Sequence, residues 1–452
     1  MHSDVSIMWF RRDLRLADNQ ALLAAAADGR RVVPLFVVDP AFAAAGAPRL
    51  AAMGDALQAL DESVNHSLVF RHGDPVDVVA QIAAEVGATN VFVSRDYGPY
   101  GRRRDQAVSD RLRQDNRKLV GKGSPYAVPP GTVRKADGSP YAVFTPFSRS
   151  WRTAGWSLPS DAPNVDWLGS PTIPCDGPPT RLAPGSRIPL VSERSALGRW
   201  NSFTDDALDH YDHRRDVPAV VGTSLLSADL RWGTIHPRQL LADLQPTKAH
   251  DVFASELAWR DFYADVLFQR PDTAWQNLNR KMDDMAIDTD QRARDRFGAW
   301  QQGMTGYPIV DAGMRQLLAT GWMHNRVRMI VASFLVKDLH VPWQWGARHF
   351  MGHLVDGDLA SNNHGWQWAA GTGTDAAPYF RVFNPTSQSQ RFDPDGDYLR
   401  QWIPELASLD KRTIHQPGLL RPAQYPSPIV DHAAERVEAL ARYKAVTARY
   451  RQ

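Results

Sequence analysis

Cysteine is nearly missing from these 452 residues; the one present is Cys175. A single cysteine excludes an internal disulfide and any metal site built from several thiolates. Long apolar runs are missing too. Stretches such as Arg31-Val-Val-Pro-Leu-Phe-Val-Val38 fall far short of the roughly 20 residues that a bilayer-spanning helix needs. No charged-then-apolar leader opens the chain, because Arg11 and Arg12 follow the first apolar run. These absences read as a soluble, cytoplasmic protein. Net charge is small as well, since 52 Lys+Arg against 50 Asp+Glu leave +2. Total charge therefore does not argue for nucleic acid, and a basic surface can only be local. No G-x-G-x-x-G follows an early strand, and there is no P-loop, G-x-S-x-G or Cys–His pair. A dinucleotide fingerprint is thus absent, and phosphoryl and acyl transfer are argued against. What the sequence has in quantity is tryptophan, 15 in all.

The first 150 residues alternate between strand and helix patterns. Val5–Phe10, Val32–Val38, Ser67–Arg71 and Asn90–Ser94 read as strands. Asn19–Ala27, Leu50–Val64 and Val76–Val86 read as helices between them. This βαβα order predicts a parallel sheet covered by helices, which binds ligands at the carboxyl ends of its strands. Residues 157–192 hold eight prolines and little periodicity, and read as a long ordered connector. A phrase repeated before it, Gly123-Ser-Pro-Tyr-Ala-Val128 and Gly138-Ser-Pro-Tyr-Ala-Val143, is too short a series for a solenoid. From about 193 onward the spacing is helical, notably over 251–268, 309–319, 322–337 and 433–449, with Gly321 where a C-cap belongs. The expected domains are 1–130 (α/β), 131–192 (connector) and 193–452 (all-α).

Several clusters could carry chemistry. Thr223-Ser-Leu-Leu-Ser227 precedes a helical stretch, where hydroxyls and free amides can hold a phosphate, although such clusters are usually plain caps. Glu256, Trp259, Arg260 and Tyr263 fall on one helix face, as do Trp322, Asn325, Arg326 and Met329. A carboxylate, a Trp and an Arg together suit a pocket wall with a polar anchor and a stacking plate; an amphipathic surface helix fits about as well. Asp356-Gly-Asp-Leu-Ala-Ser-Asn-Asn-His-Gly-Trp-Gln-Trp368 is the densest polar–aromatic stretch. It lacks the ligand pattern of a calcium loop, so contacts to a polar cofactor are favoured over a metal. His324, His349, His353 and His364 lack metal-ligand spacing as a set. No metal site is expected.

These segments together resemble the photolyase/cryptochrome family, most closely class I cyclobutane pyrimidine dimer (CPD) photolyases. The likeness runs from Trp9-Phe-Arg-Arg-Asp-Leu-Arg15 to the C-terminal helix. It includes the clusters above as well as Thr305-Gly-Tyr-Pro-Ile-Val-Asp-Ala312 and Gly321-Trp-Met-His-Asn-Arg-Val-Arg-Met329. It implies a Rossmann-like antenna domain and a helical domain holding FAD, active as FADH⁻. Light drives an electron from that flavin to a flipped-out dimer in UV-damaged DNA. The two helix faces then become opposite walls of one pocket. By motif, Tyr211, Thr223, Ser224, Leu225, Leu226 and Ser227 would hold the FAD phosphates and ribityl. Arg328, Asp356, Gly357 and Asp358 would meet the flavin and adenosine, with Asn362 beside flavin N5 and Phe253 near the adenine. Glu256 would bond the dimer's base edges between the plates Trp259 and Trp368, with Asn325, Arg326 and Met329 completing the pocket. Arg260 and Tyr263 share the DNA-facing helix face, and Arg215, Arg381 and Gln388 would lie along the DNA groove. Trp366, Trp343 and Trp300 match the tryptophan chain that brings electrons from the surface to the flavin.

Within the family, (6-4) photolyases carry histidines where this sequence has Asn325 and Met329, so CPD specificity is expected. DASH cryptochromes typically lose one stacking Trp, whereas Trp259 and Trp368 are both here. The chain ends at its last helix, without a signalling tail. These points favour repair over a light-sensing cryptochrome, the alternative. Folate-type enzymes carry Asn-Glu where this chain has Tyr100-Gly101. The antenna expected is therefore 8-hydroxy-5-deazaflavin, alternatively a folate, with Asp96 as a contact. His364 stands where the family usually has Gly. A monomer without membrane contact is expected.

Overall fold

The computed structural model describes residues 4–179, 187–375 and 381–450. The chain forms two compact units. The first comprises the residues up to 179 with Pro189–Asp206 and Ser224–Pro271; the second comprises Ala207–Thr223 and the chain from Asp272 onward.

The first unit is built on five parallel strands: β1 (Val5–Phe10), β2 (Arg31–Val38), β3 (Val69–His72), β4 (Asn90–Val93) and β5 (Lys118–Gly121). Their order is β3-β2-β1-β4-β5, so the winding reverses between β1 and β4. β1 is buried along its whole length, as expected for a strand covered on both faces. The crossover helices start with recognisable chemistry. Asn19 accepts from Leu22 N–H ahead of Gln20–Asp28, and Asp74 accepts from Val76 N–H ahead of Pro75–Glu85, whose first residue is proline. β5 escaped the sequence reading because four residues, half-buried at best, give too little alternation to see.

The proline-rich segment is fastened along the sheet. Val32 N–H donates to Asp166 O (3.0 Å) and Leu168 N–H to Val32 O (2.9 Å), extending β2 where β3 does not reach it. Further on, Asp176 N–H donates to Phe70 O at 2.9 Å. Cys175 sits beside this contact, with Phe70 N–H on its sulfur (3.3 Å). The two copies of the repeated phrase take different places. The first is buried from Ser124 to Val128, while the second is largely exposed and ends at Val143, the N-cap of the helix Phe144–Ala154.

The second unit packs helices Pro308–Thr320, Asn325–Lys337, Trp343–His353 and Leu359–Ala370 around one apolar core. Gly321 closes the first of these with φ +65° and its N–H on Leu317 O. The next helix begins at Asn325, not at Trp322 as the spacing predicts. His324 is its N-cap, with Nδ1 accepting from Arg326 N–H at 3.2 Å, so Trp322 lies ahead of the helix. No helix of the described residues is long and apolar enough to cross a membrane.

Candidate functional site

In the first unit, the helix Lys248–Gln269 buries Phe253, Ala254, Leu257, Ala258, Asp261 and Phe262 and leaves Glu256, Trp259, Arg260 and Tyr263 half-buried on the other side. The 3.6-residue period thus holds as predicted. Trp259 is braced from one side by Phe144, stacked at 3.7 Å and 8°, and leans on Tyr263 at 5.3 Å. Arg260 turns inward. Its guanidinium donates to Pro125 O (2.8 Å) and Leu230 O (3.0 Å) and lies over the Tyr126 ring at 4.5 Å. It ties the helix to its own unit, and these bonds leave less of it for a DNA phosphate. Asp261, next in sequence, accepts from Val128 N–H and the Trp151 indole. Burial raises its carboxyl to about 6, against the pull of Arg260 and those donors.

The hydroxyl-rich stretch has an unusual backbone. Leu225 sits at φ +53°, a left-handed conformation that strains a residue with a Cβ. Leu226 is the N-cap of the helix Ser227–Trp232 and makes no side-chain cap, so the helix starts without a capping oxygen. Thr223 and Ser224 flank it half-buried. Behind it, Asp229 receives both oxygens' worth of contact from Arg199 (2.7 and 2.7 Å), which holds the helix in place. Phe253 is buried against Trp200 (5.3 Å) and Phe203 (5.5 Å). Tyr211, in the second unit, is buried beneath the Arg215 guanidinium at 5.4 Å.

The second unit gathers most of the remaining candidates. Arg328 donates to Asp356 Oδ2 (2.8 Å) and to Met323 O (2.8 Å). Asp356 Oδ1 is buried and finds no donor among the described residues. A buried carboxylate oxygen of that kind normally has a partner. Gly357 leads to Asp358, which caps the helix Leu359–Ala370 by accepting from Ser361 N–H at 3.1 Å. On that helix Asn362 donates to Ala347 O (3.1 Å), which fixes its carboxamide, and Trp368 lies half-buried near Phe383 (6.5 Å). Asn325 is exposed and Met329 half-buried. Arg326 is held by Asp216 through two bonds (3.2 and 2.8 Å) and rests over Phe392 at 4.4 Å. Arg381 is exposed over Phe383, and Gln388 is half-buried on the helix Pro385–Phe392. Among the described residues no three His, Cys, Asp or Glu side chains gather as a metal site would need.

Comparison with known proteins gives this geometry a family. Residues 6–164 match the family described as DNA photolyase, and residues 253–445 match the FAD binding domain of DNA photolyase. The deoxyribodipyrimidine photo-lyase of Escherichia coli is 41% identical across 97% of this chain and 98% of its own. The chain belongs to the DNA photolyase family. A bacterial class III photolyase from Agrobacterium tumefaciens has the same fold, with TM-score 0.92, 37% identity, and 99% and 98% of the two chains covered. An archaeal photolyase from Sulfolobus tokodaii that holds two FAD molecules, with an implied novel light-harvesting cofactor, superposes with TM-score 0.84 at 29% identity over 98% and 100%. The parallel-sheet domain and helical remainder are thus the architecture of this photolyase family.

Two expectations for this photolyase change on the structure. Trp366, Trp343 and Trp300 were expected to bring electrons from the surface to the flavin, but Trp300 is fully buried, with its indole N–H on Val331 O (3.1 Å). It packs edge-on to Trp366 at 6.0 Å. Trp343 is buried as well, its indole N–H on Asn277 Oδ1 (2.9 Å). Gly346 has no room for a Cβ because Trp366 closes on it. Asp96 is also turned inward. It bonds Arg104 (3.3 Å) and Gly98 N–H (3.1 Å), and although burial opposes it, Arg12, Arg104 and Arg11 hold its carboxyl below the usual carboxylate range. The sheet's reversal point between β1 and β4, the usual ligand crevice, is bridged by Arg11, which bonds Ser94 O and Asp105. The cleft left there, lined by Arg12, Arg95 and Asp96, holds about 10 Å³, close to a single water.

Thr273, which sequence reasoning passed over, explains the odd histidine at 364. His364 is fully buried, with Nδ1 on Ala360 O (2.9 Å) and Nε2 on the Thr273 hydroxyl (3.0 Å); burial lowers its pKa to about 4. Both ring nitrogens are in use, so it is a neutral strut that ties the Asn362 helix to residue 273. Position 364 is legible as odd, but its partner 91 residues away is not.

Proposed function

We propose that the protein repairs cyclobutane pyrimidine dimers in DNA, with reduced FAD supplying, on excitation by light, the electron that splits the cyclobutane ring. The observation that carries this reading is the near-full-length identity to the E. coli deoxyribodipyrimidine photo-lyase. The residues fit a bound FAD. Among the described residues Asp356 Oδ1 is a buried acceptor without a donor, which a hydroxyl or N–H of the cofactor would satisfy. Leu225 and Leu226 leave helix-start amides uncapped, as a diphosphate needs. Tyr211, Thr223, Ser224, Ser227, Arg328, Gly357, Asp358 and Asn362 are assigned to the same cofactor, with Phe253 acting behind it through the Trp200 cluster. Asn362, oriented by Ala347, would meet the flavin at its N5 edge.

For the lesion, Glu256 is the hydrogen-bonding anchor and Trp259 and Trp368 are the apolar plates. Phe144 and Tyr263 keep Trp259 from rotating, so the ring is set before the dimer arrives. Asn325 and Met329 offer no acid, and neighbouring His324 cannot. Burial lowers its pKa to about 4, against the pull of Asp216, and its Nδ1 caps the helix. Ring splitting of a CPD needs no proton donor there, whereas a (6-4) lesion does, which supports the CPD substrate. A class III enzyme shares the fold, so class I membership rests on the residues alone. We further propose a deazaflavin-type antenna in place of a folate. Any side chain at Gly101 would meet the Asp96 carboxylate at 2.1 Å, so a folate-type pair there would require Asp96 to move, which supports the deazaflavin reading. Asp96 itself is better read as support for Gly101 than as a chromophore contact. A monomer in the cytoplasm completes the proposal.

The test is illumination of the dithionite-reduced protein with an oligonucleotide carrying one CPD. Restored thymines are expected, and a (6-4) oligonucleotide should remain unrepaired. Failure to restore thymines while FADH⁻ absorbance is present rejects repair and leaves the light-sensing alternative.

Arg215, Arg381, Gln388 and Arg326 are assigned to the DNA backbone. Arg326 already holds Asp216 through Nε and one Nη, so a phosphate takes its remaining donors or competes with that carboxylate. Arg326→Ala should weaken damaged-DNA binding and lower the slope of log K against log salt by about 1. Asp216→Asn should tighten binding instead. Filter-binding titrations across salt concentrations check both, and an unchanged slope for Arg326→Ala removes it from the backbone contacts.

A further inference from the structure

The three tryptophans assigned to electron delivery are all buried, so none of them can exchange with a reductant in solution. The path must have another end. Trp300 stacks on Phe297 at 5.7 Å and 16°, and Phe297 meets the ring of Trp345 at 5.4 Å. Trp345 is half-buried at the edge of the core, with part of its ring open to solvent. Phe297 lies on the helix Gln291–Gln301 and Trp345 on the helix Trp343–His353, so both rings are held by regular structure. An unbroken row of aromatic rings thus runs from Trp366 through Trp300 and Phe297 to Trp345.

We propose that Trp345 is the surface end of the photoreduction path, reached from Trp300 across the Phe297 ring. The inference rests on the photolyase reading. One electron leaves Trp366 for the photoexcited flavin, Trp300 refills Trp366, and Trp345 refills Trp300. The phenylalanine is a bridge and is not itself oxidised. Trp345, one electron short, releases its indole proton to water, and a dissolved thiol returns a hydrogen atom to it. Two such rounds with one proton carry oxidised FAD to FADH⁻.

The surroundings suit this route. His349 touches Trp300 at 5.5 Å, and burial lowers its pKa to about 3, so no imidazolium repels a positive charge on that indole. The competing exit is Trp275, 39% exposed. The Arg348 guanidinium lies over its face at 5.0 Å, which disfavours a radical cation there. The Arg294 guanidinium is farther from Trp345, at 6.0 Å.

Flavin-loaded oxidised protein with dithiothreitol is illuminated in blue light, and flavin bleaching is followed together with the transient absorption of tryptophanyl radical. Trp345→Phe should lose the long-lived deprotonated radical and with it net bleaching. Trp345→Tyr should recover part of both, since a phenol can also be oxidised and lose its proton. Trp275→Phe should match the parent. Flavin content and melting temperature report folding, and the tyrosine variant keeps the test informative if the phenylalanine variant fails to fold. Parent-like radical yield and bleaching in Trp345→Phe, or their loss in Trp275→Phe, overturn the proposal. Failure of the dithionite-reduced parent to repair a CPD is a separate result. It removes the function but leaves the radical measurement to report the electron path.

Discussion

Asp311→Ala is expected to destabilise the second unit by about 4 kcal/mol or more, since each buried donor left unpaired costs about 1–3 kcal/mol. The carboxylate is fully buried and accepts four bonds. Oδ1 takes the N–H and the hydroxyl of Thr305, both at 2.7 Å. Oδ2 takes Gly306 N–H (2.9 Å) and the Tyr425 hydroxyl (2.5 Å). Alanine removes every one of these acceptors at once and leaves a void between the 305–307 turn and the 425–430 segment. The turn cannot relax elsewhere. Gly306 has φ +77°, and a Cβ there would meet Ser427 and Pro428 backbone at about 2.4 Å. A fall in melting temperature on the order of 10 °C is expected at this domain size. Asp311→Asn should recover little, because an amide presents a donor where a donor already stands. A melting curve for Asp311→Ala within two or three degrees of the parent sinks this account.

That carboxylate also shows how far the sequence could be read. Thr305-Gly-Tyr-Pro-Ile-Val-Asp311 was recognisable as a family segment, yet nothing in its spacing says whether it binds a ligand or braces a turn. The structure gives the second role, and Tyr425, 114 residues away, is the partner that sequence alone could not supply. The strands β1 to β4 and most of the long helices, though not Pro99–Gln114, were legible because each carries a period: continuous apolar runs for covered strands, and 3.6 for helices. β5 and the exact start of the Asn325 helix were not, since the first has no fully buried residue to mark it and the second is set by a histidine cap. Trp300 illustrates a further limit. Spacing can propose a redox role for an indole, but burial decides whether it can face solvent, and burial at 300 depends on packing against residues 331, 350 and 366. Arg260 makes the same point for charge. Its place on the helix face was legible, whereas its use on Pro125 and Leu230 carbonyls was not.

Asp356→Ala is expected to yield protein that retains little FAD. In the folded chain the carboxylate has one oxygen on Arg328 and one buried oxygen awaiting a donor. A hydrogen bond from a ligand to a charged acceptor contributes about 1.5–3 kcal/mol, so losing it weakens FAD by roughly 10- to 150-fold. Alanine has a second effect, because Arg328 loses its charge partner while its Nε stays tied to Met323 O. Arg328 is 25% exposed on its side chain, so water offsets part of that loss and the fold should persist. Asp356→Asn separates the two effects. It keeps the volume and an acceptor, removes the charge, and should fall between parent and alanine. The ratio of flavin to protein absorbance after desalting, together with a calorimetric titration of apoprotein with FAD, reads both variants. Parent-like flavin content in Asp356→Ala would remove this carboxylate from the cofactor site. A normal melting temperature alongside lost flavin would assign its buried oxygen to the cofactor and not to the fold.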